Sequence, residues 1–135
     1  MANKKTSFKP DYFASKYGTH ETFATVYDSM LTSEQFKRLS PTAKYLYVAC
    51  RNQLTSKRGR ETLFNHGKEF EIVYPDNCFV FPAKHLKEYG FADRSNGTKY
   101  LNELEQAGFI RKYECNKHCK KVNVYQFTSK WREME

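Results

Sequence analysis

Pro82-Ala83-Lys84-His85-Leu86-Lys87-Glu88-Tyr89-Gly90-Phe91, then Ala92-Asp93-Arg94-Ser95-Asn96-Gly97-Thr98-Lys99-Tyr100-Leu101-Asn102-Glu103-Leu104-Glu105-Gln106-Ala107-Gly108-Phe109-Ile110, is the stretch on which the fold turns. Its first part predicts a short helix that stops at Gly90, followed by a three-residue turn. In the second part Tyr100, Leu101, Leu104 and Ala107 recur at one-sided helical spacing, which predicts an amphipathic helix over 94–107. Asp93 is placed to cap its N-terminus, and Gly108 stands where a left-handed C-terminal residue is wanted. Phe109 and Ile110 open a strand. The first turns carry Arg94, Ser95, Asn96, Thr98, Lys99 and Asn102 on the outside. Short donors and acceptors with two cations are the groups that reach phosphates and base edges. Gly97 costs a helix about 1 kcal/mol relative to Ala. Either its missing side chain lets the backbone approach DNA closely, or the helix starts late and Asn96-Gly97 still belongs to the turn.

Downstream, residues 110–127 predict two strands around a charged tip, Cys115-Asn116-Lys117-His118-Cys119-Lys120. On the returning strand Val122 and Val124 share one face, and Tyr125 and Phe127 the other, so inside and outside stay open. Arg111, Lys112, Lys117, Lys120 and Lys121 are the densest basic cluster of the chain and suit phosphate contacts. The tail, 128–135, holds Trp131, expected to pack on the core.

Upstream, Ser40-Pro41 reads as a cap and first helical residue. Ala43, Leu46, Tyr47, Cys50 and Leu54 then predict a core helix over 41–54, with Arg51 near its end suited to the helix dipole. Ser33 should cap a short helix over 34–39 that buries Phe36 and Leu39. Residues 22–27 read as an extended piece, although Phe23, Val26, Tyr27, Met30 and Leu31 also fit a helical stripe. Between 55 and 77 the pattern breaks. Ser56-Lys57-Arg58-Gly59-Arg60 reads as a basic loop, Asn65-His66-Gly67-Lys68 as a turn, Phe70–Tyr74 as a strand and Cys78–Phe81 as a second short one, so the section forms either a hairpin or a loop with a strand. Lys57, Arg58 and Arg60 would be a second phosphate contact.

The predicted order is helix, insertion, strand, helix, turn, helix, strand, basic tip, strand. That is the layout of a winged helix-turn-helix, an α+β domain with a β-hairpin wing, here with an extended insertion between the first two core helices. The domain is expected over 22–127, with a partly mobile extension at 1–21 and a tail at 128–135. A length of 135 residues fits one such domain. Eleven Phe and ten Tyr can fill its core. Twenty-three Lys and Arg against fifteen acids give a net charge of +8 and a pI near 9.3, which suggests a polyanionic partner.

Other classes find less support. No apolar run approaches membrane-spanning length, and the early lysines precede no apolar segment, so a cytoplasmic protein with no membrane partner is expected. No nucleophile elbow, phosphate loop, zinc-protease or paired-cysteine redox motif occurs, so no catalytic residue and no cofactor are expected. Cys115, His118 and Cys119 have zinc-ligand chemistry but are too close together for a finger, so no metal ligand is assigned. His66, His85 or Cys78 would have to complete such a shell. A zinc- or redox-responsive regulator built on these three residues is one alternative, and a winged helix serving protein contacts is another.

Phe36-Lys37-Arg38-Leu39-Ser40-Pro41-Thr42-Ala43-Lys44-Tyr45-Leu46-Tyr47 resembles the F-x-x-L-S-x-x-A-K-x-L-Y opening of winged-helix proteins from plasmids, phages and conjugative elements of Gram-positive bacteria. Tyr100–Ile110 is similar to the end of their recognition helix. Among them, the chain resembles the N-terminal domain of RepA-type plasmid replication initiators over about 22–127. A full initiator of that type carries a further C-terminal domain, which is not expected in this chain. The resemblance therefore implies a stand-alone DNA-binding regulator, or a replication or transfer accessory factor, of a mobile element. The expected partner is double-stranded DNA, bound without catalysis and with a homodimer as the expected form. Asn96, Thr98, Lys99 and Asn102 are expected at base edges, Arg94 and Ser95 at phosphates, and the wing cations on the flanking backbone.

Overall fold

In the computed structural model, which describes residues 14–17, 21, 23–69, 71–114 and 123–134, the chain is α+β. The order is α1 (Asp28–Leu31), α2 (Glu34–Lys37), α3 (Pro41–Thr55), α4 (Lys57–Glu69), β1 (Cys78–Val80), α5 (Ala83–Glu88), α6 (Arg94–Gln106), β2 (Ile110–Glu114), β3 (Val124–Phe127) and α7 (Lys130–Glu133). The caps fall where the sequence puts them. Ser33 Oγ accepts from Phe36 N, Ser40 Oγ from Ala43 N, and Asp93 from Asn96 N. Each such cap is worth about 1 kcal/mol. Helix α2 stops at Lys37, earlier than expected, but Phe36 and Leu39 are both buried. Residues 23–27 carry no regular structure and lead into α1, which buries Met30. Arg51 does not serve its own helix end. Its Nε donates to Thr25 O (3.2 Å) and its guanidinium lies 5.0 Å over the Phe127 ring.

The sheet is antiparallel in the order β1-β3-β2. Its two faces explain why β3 is apolar on both. Phe79, Tyr125, Phe127 and Ile110 face the main core, shared with Ala43, Leu46, Tyr47 and Cys50 of α3 and Leu101 and Leu104 of α6. Phe109 is 1 % exposed, edge-on to Phe36 and Tyr47 and stacked on Trp131 at 5.6 Å, so the tail does pin to the core. Cys78, Val80 and Val124 face the other way into a smaller apolar cluster covered by Leu63 and Tyr74. The ladder slips between Lys112 and Glu114, where a bulge turns the outgoing strand.

The interval 55–77 corrects the expected loop, turn and hairpin. Residues 57–69 form α4, and 71–74 form no strand; Phe70 lies outside the described residues. Ser56 does double duty. It ends α3 and its Oγ accepts from Gly59 N (3.0 Å), starting the next helix without a linker. The glycines that suggest breaks are close-contact points. A Cβ on Gly59 would lie 1.8 Å from Gln53 O of α3, and one on Gly67 would lie 2.3 Å from Ile72 O. Of the two forms expected there, the hairpin is not found and the loop with a strand is: β1 follows an irregular stretch and pairs with β3.

Gly97 corrects both of its expected roles. It lies inside α6 and is buried, and a Cβ there would stand 2.6 Å from Leu86 Cδ1. Its bareness lets α5 and α6 approach; it faces neither solvent nor a turn.

Candidate nucleic-acid interface

Helix α6 is fixed on three sides. Gly97 receives Leu86 from α5. Leu101 and Leu104 enter the core at 2 % and 0 % exposure. Glu103 reaches the start of α3, where its two carboxylate oxygens accept from Ser40 N (2.7 Å) and Ser40 Oγ (2.8 Å). A carboxylate there also complements the positive end of the α3 dipole. The second carboxylate of the helix, Glu105, lies 3.4 Å from Lys112 Nζ on β2. Both acids of α6 are thus turned to partners within the protein.

The opposite side carries the residues picked out from sequence. Arg94, Ser95, Thr98, Lys99 and Asn102 line one shallow hollow along the helix. Arg94, Ser95 and Lys99 are exposed, Thr98 and Asn102 half-buried. Lys99 Nζ stands 5.3 Å over the Tyr100 ring. Asn96 is exposed next to the cap and outside that hollow. Asn102 Oδ1 is buried with no hydrogen-bond partner among the described residues. A buried acceptor left so costs about 1–3 kcal/mol.

The ribbon cations divide. Arg111 is exposed, donates from Nε to Gln126 Oε1 (2.9 Å), and lies 5.5 Å over the Tyr113 ring. Lys112 points to the other face, half-buried beside Glu105. Lys117, Lys120 and Lys121 lie outside the described residues, as do Cys115, His118 and Cys119. In the second basic cluster, now the first turn of α4, Arg58 pairs with Glu88 of α5.

The residues that could have completed a metal shell are otherwise engaged. His66 Nε2 lies 3.4 Å from Glu114 Oε1, which also accepts from Tyr74 OH (3.0 Å). Cys78 belongs to the smaller apolar cluster. Among the described residues no group of three His, Cys, Asp or Glu side chains could hold a metal ion. Burial pushes the Cys50 and Cys78 thiols up, away from the reactive thiolate. No helix of the described residues is long and apolar enough to cross a membrane.

His85 holds α5 against α3. Gln53 Nε2 donates to Val80 O (2.9 Å) and lies 2.6 Å from His85 Nδ1, an arrangement that suits a neutral ring accepting at Nδ1. Burial first, and then the charge of Arg58, lower the His85 pKa below its ordinary 6.5. The unfolded chain therefore takes up a proton where the folded protein does not. Stability is full above about pH 6.5 and falls as the pH drops through and below that value. Melting is expected a few degrees lower at about pH 5.5 than at about pH 7.5. His85→Gln, which can still accept but does not titrate, should show a smaller drop. An equal drop in that variant would place the proton uptake elsewhere.

Sequence reasoning missed Glu103 as an anchor of α6, and no local signal marks it. It also missed the Glu105–Lys112 pair, which lies across the Gly108 turn. It missed α4, whose Arg60, Phe64 and Lys68 do stand four apart and would have scored as one helical face. No family model, no curated protein and no solved structure matches this chain.

Proposed function

We propose that this is a non-catalytic, double-stranded DNA-binding protein with a winged-helix domain, in which α6 enters the major groove and the 110–127 ribbon grips the backbone. The observation that carries this reading is the outer face of α6, to which the helix itself contributes no acid. Arg94, Ser95, Thr98, Lys99 and Asn102 share it, while Glu103 and Glu105 are bound elsewhere. A helix face with cations and short amides, on a chain of net charge +8, meets both the electrostatic and the base-edge requirements of duplex binding. The element order and the β1-β3-β2 sheet are compatible with a winged helix. Asn102, half-buried on that face, carries the amide that can accept from adenine N6 while donating to N7. A homodimer on a repeated half-site is the proposed form. The proposed setting is the control, replication or transfer of a mobile element, in the cytoplasm.

Selection of bound fragments from random duplex DNA at two salt concentrations tests this reading. Lys99→Ala with Asn102→Ala should lower the preference for the selected site over random DNA by about 5- to 100-fold, the scale of one good base contact. Lys117→Ala with Lys120→Ala should weaken all DNA alike and reduce the salt slope by about 2. No change in either double variant ends the assignment.

A further inference from the structure

A second surface is unrelated to the face of α6. Helix α4 and the chain that returns along it enclose a groove of about 520 Å³. Leu63 and Tyr74 form its floor, the same side chains that roof the smaller apolar cluster on the sheet. Phe64, Ile72 and Val73 form the walls, and they are wet: Phe64 is 69 % exposed and Val73 97 %. Arg60 and Lys68 stand on the rim with Glu71, and neither cation has a carboxylate partner among the described residues. Arg60, Phe64 and Lys68 follow one another at one-turn spacing, a stripe of about 12 Å along the helix axis.

Who fits follows from shape and charge. A small molecule in the groove would leave the outer surfaces of Phe64 and Val73 in water, so a partner that also covers the walls is favoured. DNA has no use for an apolar floor. A second copy of a chain carrying +8 would bring like charge to Arg60 and Lys68. We propose that the α4 groove docks an acidic amphipathic helix of another protein: apolar anchors spaced three and four residues apart enter between Phe64 and Val73, and flanking carboxylates meet Arg60 and Lys68. The groove shares no lining residue with the hollow on α6, so both can be occupied together.

The probe is a synthetic helical peptide with leucines at three- and four-residue spacing and glutamates beside them, compared with the same peptide carrying lysines. Binding is read by fluorescence anisotropy and by amide shifts in the full chain. The acidic peptide should bind, shift the amides of Arg60, Phe64, Lys68 and Val73, and weaken with salt. Phe64→Ser with Val73→Ser should weaken it by about tenfold or more with melting and DNA binding unchanged. Arg60→Glu with Lys68→Glu should make the lysine peptide the better ligand. No binding, equal binding of the two peptides, or binding that survives the Phe64/Val73 change overturns the proposal. So does a dimer in sedimentation that Phe64→Ser with Val73→Ser dissolves, which would give the groove to a second copy. Because DNA binding is followed in the same variants, failure here is distinguishable from failure of the α6 reading.

Discussion

Gly59→Ala is expected to destabilise the protein by about 2–4 kcal/mol, at the upper end of overpacking costs. The reason is a single contact. A Cβ at that position falls 1.8 Å from the backbone oxygen of Gln53 and 2.7 Å from its carbonyl carbon. Backbone cannot rotate away as a side-chain tip can, so α4 must lift from α3. Lifting it also disturbs the Ser56 cap and uncovers the small cluster beneath Leu63. The sign makes the experiment decisive. In a solvated loop, or in a helix free on that side, Gly→Ala stabilises by about 0.4–1 kcal/mol through the unfolded chain and helix propensity. A thermal melt therefore separates the two situations. A fall of roughly 6–15 °C is expected for a chain of this size, and any rise would refute the α3–α4 contact.

That same glycine shows why part of the fold was hidden in the sequence. Helices α3, α5 and α6 announce themselves through their own ends: Ser40-Pro41, Gly90, Asp93 and Gly108 are local signals acting within one turn. Gly108 adopts φ 87° and Gly90 φ 97°, as left-handed stop positions require. Helix α4 has no such independence. Its start is shared with the end of α3, and Gly59 and Gly67 mimic breaks because close packing needs them bare. Its apolar face is thin, since Leu63 alone covers the sheet and Phe64 points to solvent. Ile72-Val73-Tyr74 has strand-forming side chains, yet it does not pair with β1; Tyr74 instead packs with Leu63 over the small cluster on the sheet.

The candidate interface was more legible than the fold around it. Helical periodicity alone separates Leu101 and Leu104 from Arg94, Thr98, Lys99 and Asn102, and the structure gathers most of the polar set in one hollow. What periodicity cannot supply is the destination of each polar group. Glu103 lies next to Asn102 in sequence but serves the α3 cap, and Lys112 faces Glu105 while neighbouring Arg111 faces away. That Glu103 and Glu105 are drawn off to α3 and β2 is therefore a tertiary fact.

Phe109→Ala should be the costliest single truncation, at about 3–5 kcal/mol. The ring meets three others, Phe36, Tyr47 and Trp131, which come from α2, α3 and α7, and it follows directly on the C-terminal stop of α6. Its removal leaves a cavity that these rigid rings cannot close without leaving their edge-on and stacked positions. The tail is released in part as well, because Trp131 loses the surface it stacks on, although Trp131 N still donates to Gly108 O. Thermal melting should fall by roughly 10–20 °C, and Phe109→Leu by much less. Phe109 does not line the α6 hollow, so below the new midpoint the variant should still prefer the selected DNA site to the same degree. The Lys99/Asn102 double variant should do the reverse, losing preference while melting stays within the small range usual for surface changes. A Phe109 variant that melts like the parent would show that the aromatic cluster does not carry the core. One that stays folded but loses its site preference would show that the helix and the core are not separable, and that the outer face of α6 is set by packing beneath it.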